Sequence, residues 1–273
     1  MCRVFGCVAT EPVSIRHELL EAENPLIRQS EDHDSGWGTA AYERADGGRP
    51  QLVRFPEAAY SDGEFVAATG LRGRIFNVHV RRATMGDLSL ENTHPFCLDR
   101  YTLGHNGTIV AYPRLLEPGM QRPAGDTDSE HFFNLLMHRY DPADPVASLR
   151  GALRTAVERS PFSGLNVLFS DGEKLYAYRL GRFDLHWVAR PGQLLVASEK
   201  LTGEAWHSVG QDVLLTLDPD DLEEPHAERL LGDEIVAGAD IRRIDKAPHL
   251  RGAERGAAAA ERARSAASAA AAE

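Results

Sequence analysis

Three cysteines in 273 residues are too few, and odd in number, for a disulfide scaffold. Met1 to Gly6 holds no basic, then apolar, leader. The two absences together give a reducing cytoplasm as the expected compartment. Long apolar runs are also missing. None approaches the ~18 residues of a membrane-spanning helix, so a membrane partner is not expected. Basic charge is in deficit: 30 Lys and Arg stand against 41 Asp and Glu, a formal net charge of −11. A nucleic-acid binder would carry a basic stripe, so nucleic acid is set aside as a partner. There is no GxxxxGK[ST] loop, no GxGxxG, no HExxH and no paired CxxC. His33, His94, His105 and His131 follow no metal-ligand spacing. Neither a metal nor another cofactor is expected, and no 20–50-residue repeat is visible.

What remains is an ordinary globular composition, 42% apolar and 26% charged, long enough for one large core. Arg3 to Thr10 reads as a strand, with Cys2, Val4, Gly6 and Val8 on one face and Arg3, Phe5 and Cys7 on the other. Cys2 and Cys7 therefore point apart. Ile15 to Glu23 reads as a short helix, and Glu31 to Gly38 as a polar loop before a strand near Thr39–Tyr42. Ile75 to Arg81 is a strand with Phe76, Val78 and Val80 on one face and Asn77, His79 and Arg81 on the other. Tyr101–Gly104 and Thr108–Tyr112 read as two strands around a His105-Asn106-Gly107 turn. Thr127 opens a helix to about Tyr140, and a second helix covers Val146–Arg159. Four short strands follow, at Leu165–Ser170, Leu175–Leu180, Leu185–Val188 and Leu194–Ser198. Asp171-Gly172 and Leu180-Gly181-Arg182 mark hairpin turns. Strands, two helices, then strands again predict an α+β sandwich of mostly antiparallel sheets. The folded domain is expected over 1–251. Residues 252–273 form an Ala-rich tail with little to bury, a solvated helix or disordered.

Five stretches carry potential chemistry. Cys2 becomes N-terminal if Met1 is removed. Its thiol then sits beside an α-amine of pKa about 8, so one residue holds nucleophile and base; the plain alternative is a small buried hydrophobe. Arg81 ends a strand where a guanidinium can grip a carboxylate, or is one of a surface arginine pair. His94 sits in a loop fixed by Pro95. Asn106-Gly107 is either a hairpin turn or two N–H donors aimed at a developing oxyanion. Thr127-Asp128-Ser129-Glu130 is a capping box whose Asp128 carboxylate can hold an ammonium group.

Taken in order, Met-Cys, the loop ending Gly36-Trp37-Gly38, R-x-A-T-x-G, N-T-H-P-F, H-N-G and T-D-S-E resemble class II glutamine amidotransferase domains. The likeness is nearest to the stand-alone subgroup of YafJ-like proteins and the γ-glutamyl hydrolase of ergothioneine synthesis. It implies the N-terminal-nucleophile hydrolase fold, a four-layer αββα sandwich. It also implies roles: Cys2 attacks a γ-glutamyl amide, and Asn106 and Gly107 stabilise the oxyanion. Arg81, with Thr84 nearby, holds the α-carboxylate, Asp128 the α-ammonium, and His94 lines the pocket. Arg82 and Met85 depart from synthetase-linked relatives, which often carry an aromatic residue and His there. The partner is then glutamine or a γ-glutamyl small molecule, and the ammonia or amine is released or passed to a separate synthetase subunit. A non-catalytic module that binds γ-glutamyl metabolites is the alternative.

Overall fold

The computed structural model describes residues 2–244; the Ala-rich tail at 252–273 lies outside them. Two antiparallel sheets face each other. In chain order the strands are β1 (Arg3–Val13), β2 (Trp37–Tyr42), β3 (Gln51–Phe55), β4 (Gly73–Val80), β5 (Phe96–Leu98), β6 (Tyr101–Ile109) and β7 (Phe162–Ser170). They continue with β8 (Leu175–Arg179), β9 (His186–Arg190), β10 (Gln193–Ala197), β11 (His207–Ser208), β12 (Val213–Asp218) and β13 (Asp221–Arg229). The helices are α1 (Leu26–Gln29), α2 (Gly63–Ala68), α3 (Asp128–His138), α4 (Pro145–Arg159) and α5 (Asp233–Ala237). One sheet runs β11-β9-β10-β1-β4-β2-β3, the other β13-β12-β8-β7-β6-β5.

Three cores follow from side-chain alternation. Val4, Val8, Ile75, Leu168, Ala177 and Val196 fill the space between the sheets. Phe5, Cys7, Phe76 and Val78 point the other way, onto Leu19, Leu26 and Phe65. Leu103, Val167 and Phe169 pack under α3 and α4, against Phe132, Leu136 and Leu153. The order helix, sheet, sheet, helix is the αββα sandwich, and the faces read for β1 and β4 are the observed ones. Tyr42 spans the gap, its hydroxyl donating to Arg100 O at 2.7 Å.

Local readings need four corrections. The Asn106-Gly107 pair makes no turn: it lies inside β6, Asn106 opposite Asn166 and Gly107 opposite Leu165. The hairpin turn is Asp99-Arg100, where Asp99 takes φ 57°. Gly107 is needed for close approach, since a Cβ there would lie 1.8 Å from Gly164 O. Leu180-Gly181-Arg182 is no hairpin either, because β8 and β9 belong to different sheets. Helix 15–23 shrinks to one wide turn at His17–Glu21. The capping box is half formed: Thr127 Oγ1 accepts from Glu130 N at 3.3 Å. Glu130 itself reaches past Thr127 to accept from Ala124 N and Gly125 N, both at 2.8 Å.

Candidate active site

Cys2 immediately precedes β1, on the face turned toward the other sheet. Arg3 lies opposite Val80 in the β1–β4 ladder, so Cys2 falls beside Arg81. Its sulfur lies 3.7 Å from Arg82 O, and the residue is 8% exposed. Ser198 holds the strand start: its hydroxyl accepts from Val4 N at 3.1 Å, and its N–H donates to Val4 O at 3.0 Å. Burial pushes the Cys2 thiol above its ordinary range, and the Arg81 charge pulls it part-way back. A buried thiol of this kind needs a base before it can attack.

Arg81 is a buried cation. Its Nη2 donates to Met85 O at 2.8 Å and its Nη1 to Asp87 O at 3.1 Å. Among the described residues no carboxylate pairs with it within 4 Å. Carbonyl dipoles touch the guanidinium, and the Asp128, Asp126 and Asp87 carboxylates favour its charge from farther off; its burial is costly. The same loop is fastened at its far end. Asn92 donates to Asp87 O at 3.1 Å and Asp126 Oδ1 at 2.5 Å, and accepts from Asp126 N at 3.0 Å. Gly86, at φ 72°, turns the loop where a Cβ would strike Asp126.

The third wall is β6. Thr102, Gly104, Asn106 and Thr108 alternate onto its inner face. Thr108 Oγ1 meets Thr84 Oγ1 at 2.8 Å, joining the R-x-A-T loop to the strand. Asn106 is buried and its Oδ1 has no hydrogen-bond partner. Leu165, opposite Gly107, sends its own N–H to Leu180 O at 2.7 Å. The Gly107–Leu165 pair is therefore one that exchanges no ladder bonds, and Gly107 N–H points away from β7. On that side β5 reaches only as far as Leu103, so the donor is left for another acceptor.

Asp128 starts α3, and its Oδ2 accepts from Ile109 N at 2.7 Å. That bond ties the carboxylate to the end of β6. Burial raises the Asp128 carboxyl, while the Ile109 N–H pulls it back. His105 Nε2 lies 3.1 Å from Gly164 O, so it carries the hydrogen, and Nδ1 accepts from Ser129 Oγ at 2.8 Å. Burial lowers His105, which is neutral near pH 7; its 4.0 Å approach to Asp128 is then no ion pair. His94 is buried. Its ring stacks on His79 at 4.1 Å and leans on Phe96 at 4.4 Å, and both its nitrogens are buried without partners. His79 in turn reaches His105 O at 3.1 Å.

Cys2, Arg81, Thr84, Asn106, Gly107 and Asp128 are thus linked at one end of the sandwich, and His94 joins them through His79. Ser198, Thr108 and His79 were not singled out in the sequence. Thr108 and His79 carry a legible signal, polar side chains alternating within a strand; Ser198 carries none.

Residues 1–193 match the family model for class-II glutamine amidotransferases. The chain belongs to that family. The YafJ-like resemblance holds as well: the chain is 30% identical over 213 residues to the putative glutamine amidotransferase YafJ of Escherichia coli, covering 72% of this chain and 80% of that protein. An uncharacterized protein of Methanocaldococcus jannaschii, MJ1515, is 32% identical over 203 residues, 70% of this chain. This amidotransferase-family chain spans 54% of that relative's length. The glutamine PRPP amidotransferase of Bacillus subtilis superposes with a TM-score of 0.65 at 18% identity, over 85% of this chain and 50% of that one. The shared architecture is the N-terminal-nucleophile hydrolase sandwich. Among the described residues no helix is long and apolar enough to cross a membrane.

Proposed function

We propose that this family member hydrolyses a γ-glutamyl amide, glutamine or a γ-glutamyl metabolite, through a thioester on Cys2. The observation that carries the reading is the placement of a buried thiol beside a buried cation, Arg81, that no carboxylate among the described residues approaches within 4 Å, on the side of its sheet facing the sheet that carries Asn106. With Met1 removed, the Cys2 α-amine takes the thiol proton. Sulfur attacks the γ-carbonyl carbon, and the carbonyl electrons move onto oxygen. The Asn106 amide and Gly107 N–H receive that oxyanion. Collapse breaks the C–N bond, and the leaving ammonia or amine takes the proton held on the α-amine. Water, deprotonated by the same amine, then attacks the thioester and expels the thiolate, releasing glutamate.

Recognition divides by charge. Arg81 supplies the cation for the α-carboxylate, which replaces loop carbonyls around the guanidinium; Thr84 stands alongside. Asp128 takes the α-ammonium. His94 backs the pocket from behind His79. The domain proposed to carry out this hydrolysis is 1–251, with cytoplasmic solvent as its setting. We favour a simple hydrolase over a glutaminase subunit that feeds a separate synthetase.

Treatment with 6-diazo-5-oxo-norleucine, read by intact mass and peptide mapping, tests the reading. One adduct on Cys2, in a chain lacking Met1, is the expected result. Labelling only at Cys7 or Cys97, or none, would favour a binding module without catalysis.

A further inference from the structure

The geometry points to Asn166 as the positioning residue that sets the orientation of the Asn106 amide, through one water shared between the two side chains. The catalytic part of this inference rests on Asn106 being an oxyanion donor. The bridge itself does not.

Asn106 and Asn166 are directly opposite in the β6–β7 ladder. Ladder bonds alternate, and the adjacent Gly107–Leu165 pair makes none, so Asn106 and Asn166 form a bonded pair. Their side chains leave the same face, toward the sheet that carries Cys2, at the ~5 Å separation of directly opposed residues. Both residues are buried, 1% and 0% exposed. The Asn166 amide cannot rotate freely. Its Nδ2 donates to Phe183 O at 3.3 Å and Asp184 O at 2.9 Å, which uses both of its hydrogens. That segment is fixed too, since Arg179 donates to Phe183 O at 2.9 Å and to Asp184 Oδ1 at 2.8 Å. Asn166 Oδ1 therefore points in a set direction.

Two acceptors result, Asn166 Oδ1 and Asn106 Oδ1, buried and each without a donor. Unpaired buried acceptors are costly, and buried water is the usual remedy. Turning Asn166 over would set its oxygen against the Phe183 and Asp184 carbonyls. Turning Asn106 over would point its oxygen at the place where negative charge develops. A single water donating one hydrogen to each oxygen satisfies both and keeps the Asn106 NH2 toward the cleft. No other side-chain hydrogen bond fixes Asn106 among the described residues. Asn166 is then what separates an amide offering a donor from one offering an acceptor.

The test compares two substitutions that both lose the neutral amide donating to Phe183 and Asp184. Asn166→Asp, assayed at a pH where its buried carboxyl is protonated and donates to Asp184 O, keeps an acceptor oxygen facing Asn106; Asn166→Leu removes it and excludes water. We expect kcat of the leucine variant to fall ~10- to 100-fold, bounded by the ~10²–10³ of a whole oxyanion donor, with KM within twofold. The aspartate variant should stay within threefold of the parent kcat. Equal losses in both, or a leucine variant within threefold of the parent, would overturn the assignment. A high-resolution crystal structure of the parent decides it independently of folding or activity. A water within hydrogen-bond distance of both oxygens supports the proposal; its absence, or an Asn106 amide turned over, overturns it. Failure of the proposed activity reads differently, as no adduct on Cys2 in the parent protein.

Discussion

Replacing Gly107 with alanine adds one methyl group where two strands are closest. The new Cβ would meet Gly164 O at 1.8 Å, Gly164 C at 2.6 Å and His105 Nε2 at 2.7 Å. Ordinary contact begins near ~3.4 Å, so β6 must move by about 1.5 Å relative to β7. No side-chain rotation relieves this, because the nearest two atoms are backbone. Overpacking of this kind costs about 1–3 kcal/mol, a Tm loss of ~2–10 °C for a chain of this size. Catalysis should suffer more than stability. Gly107 N–H leaves its place by about the shift that costs ~10²-fold in rate, and Asn106 moves with it. Gly164→Ala is the control: its Cβ meets the Phe183 ring at 2.7 Å, a side chain that can swing. Glutamate release from γ-glutamyl substrates, measured beside thermal melts by circular dichroism, separates the effects. Gly107→Ala with parental Tm and parental kcat would refute the close approach and the donor assignment together.

Cys2→Ala should abolish turnover and the diazo-reagent adduct with little change in Tm, since the residue precedes its strand at the cleft. Asp128→Asn keeps an acceptor for Ile109 N but loses the charge; KM for γ-glutamyl substrates should rise ~10- to 100-fold, while thermal melts stay level or rise because a buried carboxylate is gone. Arg81→Lys should raise KM at least ~10-fold, because an ammonium cannot reach both the Met85 and Asp87 carbonyls, and steady-state kinetics check this. Acid should destabilise the fold. Burial lowers His79 to about 3 and His33 to about 4, so both are neutral when folded and take up protons below about 6.5 when unfolded. Their stabilisation is complete above that value and drains as pH falls toward 4 and then 3; a Tm unchanged between pH 7 and 4 would contradict it.

Alternation along β1 and β4 was legible because each strand lies between two layers. Every second residue has a different fate, Val4 and Val8 inward, Phe5 and Cys7 outward. Helix α3 was legible through Thr127, whose cap is local chemistry. The Asn106-Gly107 turn misled for a physical reason. Asn-Gly serves equally where backbone must turn and where two backbones must nearly touch, and only Gly164, 57 positions on, tells which. Strand β13 left no pattern to read: at the sheet edge most of its side chains face solvent. The site was named from ordered motifs, Asn92 among them, but Ser198 and Asn166, which lock its parts, act over separations that local spacing cannot express.

Strand β1 is central in its sheet, between β4 and β10. Phe5 pairs with Ala197, so the beginning of the chain cannot be enclosed until nearly two hundred residues have been made. The proposed mechanism therefore requires that Met1 be removed while this segment still hangs free. If Cys2 acts as proposed, an affinity tag fused ahead of it would keep the sulfur but cap its nitrogen, giving a folded and inert protein.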